Sequence, residues 1–158
     1  MPDPAWYPQQ ADLERKVGGA FVLVELSGSS TGTADSTFVD SCLAFGRATV
    51  RAAVMVKHAT VTLDGLDAET TNLVRRLAII ESARAAWSDG TGNQAQPANL
   101  AADFEWSDGQ LDKIREGRIF IGGHTGQPAP ALAQAVGVID SDPLGCKVSI
   151  NGFKRGFR

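Results

Sequence analysis

Between residues 34 and 59 the chain reads ADSTFVDSCLAFGRATVRAAVMVKHA. Apolar or small residues recur at Phe38, Cys42, Phe45, Thr49, Ala52 and Val56, a spacing of four and three that marks one face of a helix. Asp35 or Ser36 can cap its start. Gly46 and the alanines around it imply close packing against a second helix. That second helix is predicted over residues 67–87, with Asp67 as N-cap and Glu69 in the first turn. Leu73, Leu77, Ile80 and Trp87 share a face there, with Arg84 between the last two. A third helix is predicted near 103–116, with Phe104, Ser107, Leu111 and Ile114 on one side. Gly109 weakens it, and Gly117 stands where a C-terminal cap belongs.

The flanks read differently. Residues 1–10 hold three prolines and are expected to be extended. QQADLERKVGG suggests a short helix, with Asp12 and Glu14 near its start, Arg15 and Lys16 near its end, and Gly18 and Gly19 as the stop. AFVLVEL, residues 20–26, is apolar and β-branched enough for a strand, though a buried helical turn fits as well. Residues 27–33 and 88–102 read as loops. In LDKIREGRIFIGG, residues 111–123, Gly117 ends the last core helix, RIFI runs extended, and Gly122 and Gly123 let the chain turn. Beyond 123 no helical period is sustained, although CKVSI could pair as a strand.

The expected architecture is therefore mainly α: a small bundle of about four helices with room for a short β element. An extended segment covers 1–10, a helical domain 11–123 and a long C-terminal arm 124–158. A tail of about 35 residues exceeds an ordinary loop, and such tails commonly order against another chain.

Composition adds a charge asymmetry. The chain of 158 residues has net charge −3, but residues 143–158 contain Lys147, Lys154, Arg155 and Arg158 and no acid. A +4 terminus thus follows a −7 body. The overall balance does not point to nucleic acid. Cys42 and Cys146 match no zinc spacing, so Cys42 is read as a buried thiol and a reducing compartment is expected. No signal-peptide pattern and no membrane-length apolar run are seen in this sequence.

Candidate chemistry is sparse. His58 and His124, the two histidines, lack companions at metal-ligand spacing. No nucleophile elbow, HExxH or phosphate-loop sequence occurs. DGTGN, residues 89–93, starts like a calcium loop, but the twelfth position is Leu100 where a bidentate Glu is needed. GRIFIGGHTG, residues 117–126, follows a helix instead of a strand and opens none, unlike a dinucleotide loop. Neither catalytic residue, metal nor cofactor is assigned. NGFKRGFR at the end alternates aromatics with cations, a pattern that fits a docking arm, a disordered solubilising tail or a weak, salt-sensitive nucleic-acid contact, of which docking is preferred. Phe153, Lys154, Arg155, Phe157 and Arg158 are the candidate docking residues.

YPQQADLERKVGGAFVLVELS, residues 7–27, resembles the opening of the Mu-like family of phage neck proteins, through Tyr7, Asp12, Leu13, Gly18 and Leu26. Leu111, Ile114, Gly117 and Ile121 match the family's third-helix ending. The resemblance spans residues 7–123 and extends to head-to-tail adaptors of tailed bacteriophages. Two departures are a proline-free HATVTLDGLDAE turn and a longer tail. The resemblance implies a dodecameric ring in the virion neck, made in the bacterial host cytoplasm. The ring would sit between the portal protein and a head-closure, stopper or tail protein, with DNA passing through its lumen during ejection and no membrane involved. The main rival is a small helical DNA-binding or regulatory protein using the basic tail with Arg75, Arg76 and Arg84. A second is an enzyme with a site around His124.

Overall fold

A computed structural model describes residues 3–57, 63, 65–90 and 96–121. These belong to the first of the chain's two units, residues 1–125; the second, 126–158, lies outside the described residues. The described part is helical and holds five helices and no strands: α1 Gln10–Val17, α2 Ala20–Leu26, α3 Ser36–Met55, α4 Ala68–Asp89 and α5 Ala98–Arg115. The mainly α expectation holds, with one more helix than expected.

The extra helix is AFVLVEL. Gly18 and Gly19, at φ +112° and +126°, adopt a left-handed region that side chains resist, and α2 starts directly after them. A strand would have put Phe21 and Leu23 on one face. Instead Leu23 and Leu26 are buried, three apart, while Phe21 is 69% exposed. Packing against α1 and α4 overrides the β propensity of this stretch.

Other ends follow local chemistry. The Asp35 carboxylate accepts the Phe38 N–H at 2.9 Å at the start of α3. Asp67 accepts the Thr70 N–H at 2.9 Å and its hydroxyl at 2.7 Å at the start of α4. Those two bonds hold the Asp67 carboxyl below its ordinary pKa. Helix α5 begins at Ala98, five residues before its expected start; Pro97 is its N-cap, the Leu100 N–H bonds the Pro97 carbonyl at 2.9 Å, and Leu100 is fully buried. The helix ends at Arg115; Glu116 is the C-cap, Gly117 follows at φ +78°, and the Arg118 N–H bonds the Lys113 carbonyl at 2.8 Å.

Helices α3 and α4 form the central pair. They run through two apolar clusters. One gathers Val50, Val54, Leu77, Leu111 and Ile114 with Trp6 from the N-terminal segment and Ile121 from beyond α5. The other gathers Leu13, Leu23, Val39, Cys42 and Leu100. Trp6 is 1% exposed and lies within a turn closed by the Tyr7 N–H on the Pro4 carbonyl at 2.9 Å. The proline-rich start is therefore pinned by its aromatic residue. Burial of side chains such as Leu77 and Ile80 contributes about 1.5 to 3 kcal/mol each.

The expected face of α3 is corrected. Its buried positions are Val39, Cys42, Leu43, Gly46, Val50, Ala53 and Val54. Of the six residues expected inside, Cys42 alone is buried, and burial pushes its thiol above the ordinary pKa. Phe38 and Thr49 are half-buried; Phe45, Ala52 and Val56 are exposed. The helix carries two apolar stripes, and the position of Gly46 selects which one faces α4. A Cβ at residue 46 would lie 2.3 Å from the Ala78 carbonyl oxygen and 2.2 Å from Ser82 Oγ. On α4, Leu77 and Ile80 are buried as expected, whereas Leu73 and Trp87 are partly covered.

Candidate interaction surface

The stripe of α3 that faces away from α4 is the main candidate. It presents Ala44, Phe45, Ala48, Ala52 and Met55, all exposed, at successive turns of one helix. Phe45 is 50% exposed and Met55 52%. Beside them runs a groove of about 400 Å³, bordered by Tyr7, Arg47 and Arg51. Small residues leave the backbone approachable, and the two large apolar residues supply area to bury.

The cations along this groove are positioned by aromatic rings. The Arg47 guanidinium lies 4.7 Å from the Tyr7 ring centre, and its Nε–H donates to the Leu43 carbonyl at 3.2 Å. Arg51 lies 5.9 Å from the Trp6 ring centre. Trp6 and Tyr7 meet edge to face at 4.7 Å and 87°. The buried N-terminal aromatic thus orders the groove's rim as well as the core. From residue 41 to 57 the chain carries Arg47, Arg51 and Lys57 and no acid. Along one side of α5 and its C-terminal cap Glu105, Asp108, Asp112 and Glu116 are exposed; Asp108, Asp112 and Glu116 each pair with an arginine, and Lys113 and Arg115 are exposed on the same helix.

Polar chemistry inside the bundle is structural. Glu81, 2% exposed, accepts the Ser107 hydroxyl at 2.7 Å and lies 3.6 Å from Arg84. Arg84 also pairs with Asp108 at 2.9 Å and donates to the Phe104 carbonyl at 3.0 Å. These bonds join α4 to α5 and satisfy the buried carboxylate. They also occupy Arg84, one of the three helix arginines considered for DNA. Arg75 and Arg76 instead line a separate cleft beside α1.

Among the described residues no group of three or more His, Cys, Asp and Glu side chains could hold a metal ion. None of the described helices is long and apolar enough to cross a membrane. His58, His124, Cys146 and the docking residues Phe153, Lys154, Arg155, Phe157 and Arg158 lie outside the described residues. Sequence reasoning missed Tyr7, Arg47 and Arg51 as a set. The available signal was the run Ala44, Ala48 and Ala52 at intervals of four, with an arginine before each of the last two. No family model, curated protein or solved structure matches this chain.

Proposed function

We propose that this protein is a head-to-tail adaptor of a tailed phage or phage-derived particle, assembled as a ring on the portal protein. The observation that carries the reading is the outward stripe of α3. A helix already committed to α4 on one side exposes a second apolar, small-residue face with a cationic rim. Its occupant is a neighbouring copy of the chain. A two-fold contact of this face with itself would bring arginines together. An acidic face such as the outward side of α5 suits it better, and joining two different faces is the heterologous geometry that closes rings. The resemblance of residues 7–123 to the neck-protein family supports the same reading.

In this reading the terminal residues Phe153, Lys154, Arg155, Phe157 and Arg158 dock on the adjoining ring, and many weak arms acting together bind strongly. DNA passes through the lumen without sequence readout, and a head-closure or tail component binds the other side. Electron microscopy of the particle neck tests this directly. A twelve-fold ring of this protein is expected; a monomer bound to DNA overturns the proposal. Deleting residues 147–158 is expected to leave the helical core folded and to abolish attachment to the portal. Normal neck assembly by the truncated protein would remove the role given to the arm.

A further inference from the structure

A second surface feature is left unused by the ring. Arg15 and Lys16, in the last turn of α1, converge with Arg75 and Arg76 of α4 on an open cleft of about 420 Å³. Asn72 and Asn99 add amide groups to its wall, and Ile79 and Ile80 add an apolar part. Four cations and one acid, Asp12, line the cleft.

Two of the cations are already engaged. Arg75 pairs with Asp12 at 2.7 Å, and Lys16 pairs with Asp103. Burial works to raise the Asp12 carboxyl. The hydrogen bonds from Arg75 and the Gln9 N–H, with the charges of Arg75 and Arg15, outweigh it and hold the group below its ordinary pKa. Asp12 therefore stays anionic and keeps Arg75 in place.

Arg15 and Arg76 remain. Both are exposed, and neither takes part in an ion pair among the described residues. Arg76 is also pre-positioned, with its guanidinium 4.1 Å from the Trp106 ring centre. Stacking restricts the side chain while leaving its N–H groups for an acceptor.

We propose that this cleft binds a phosphate group, carried either by a nucleotide or by a nucleic-acid strand. A carboxylate is satisfied by a single guanidinium, as Asp12 is by Arg75. Two further guanidiniums from different helices match a group with more charge and more acceptor oxygens. The cleft also exceeds a bare phosphate in volume, so the half-buried Ile79 can cover part of an attached nucleoside. The inference does not rest on the ring, and the two fail separately.

The full-length chain at low salt is titrated with inorganic phosphate, adenosine monophosphate, a short single-stranded DNA and glutamate. Calorimetry reads binding, and Trp106 beneath Arg76 gives a fluorescence signal. Saturable binding of a phosphate-bearing probe, tighter than glutamate, is expected. The double variant Arg15→Ala/Arg76→Ala should weaken it about tenfold or more. Arg76→Lys, which keeps the charge but loses the planar fork, should weaken it less. Arg118→Ala, which removes an exposed cation outside the cleft, should leave it unchanged. Binding of the mononucleotide identifies a nucleotide source; binding of the strand alone identifies nucleic acid. Absence of saturable binding, equal binding of glutamate, or binding retained by the double variant overturns the proposal. Unchanged circular dichroism of the variants excludes unfolding as the cause of a loss.

Discussion

The two faces of α3 are built from similar residues under opposite constraints. The inner face sets Val39, Cys42, Leu43, Gly46 and Val50 against the core, and its register depends on a missing Cβ. The outer face sets Ala44, Phe45, Ala48, Ala52 and Met55 toward solvent, where all five are exposed. Hydrophobicity alone does not distinguish the two. Close approach of backbone to backbone does, because it is possible only where residue 46 meets Ala78 and Ser82. The inner face is thus specified by shape, and the outer face is left free for contact.

Gly46→Ala breaks the inner face and has the largest expected effect. Alanine at this position gains about 1 kcal/mol in helix propensity. That gain is overwhelmed because the new methyl group would sit 2.3 Å from the Ala78 carbonyl oxygen. The helices must separate, with a net loss of about 2 to 3 kcal/mol expected in urea unfolding. Adding Ser82→Ala removes the flexible obstacle but not the carbonyl, so most of the loss should persist. Full recovery would show that the hydroxyl, and not the helix crossing, sets the spacing.

The same contrast marks what could be read from sequence. The presence of the long helices, the Asp67 cap and the Gly18 and Gly117 stops were legible, because each depends on neighbours within a turn; Asp35 was one of two candidate caps, and the first turn of α5 was read as loop. The inner stripe of α3 was not. Two apolar stripes with similar spacing coexist on that helix, and choosing between them requires knowing what Gly46 meets. AFVLVEL was open for a related reason, since six apolar residues around a single glutamate satisfy a strand or a short helix until Leu23 and Leu26 find the core. The groove was hidden because Tyr7 reaches Arg47 across 40 positions of sequence, and no local pattern records such a contact.

Gly109→Ala sharpens the comparison with a smaller effect of opposite sign. Gly109 also lies inside a helix, but a Cβ there would meet nothing within 4 Å. Alanine should therefore stabilise the protein by about 0.5 to 1 kcal/mol, by helix propensity and by restricting the unfolded chain. Thermal unfolding beside Gly46→Ala makes the test. If both variants lose stability, the open surroundings assigned to Gly109 are wrong.

The smallest expected effect on stability comes from the outer face itself. Phe45 and Met55 are about half exposed, so replacing both with serine removes little surface that folding buries. The isolated chain should change by no more than about 0.5 kcal/mol. Assembly should respond differently. If a neighbouring copy covers this stripe, the double variant forfeits the apolar centre of every subunit contact around the ring and should sediment as a monomer under conditions that assemble the parent chain. A reversed result, with stability lost and assembly intact, would mean that the outer stripe already packs against another part of its own chain. The distinction drawn between the two faces of α3 would then fall, and the search for the subunit contact would move to the exposed acidic side of α5.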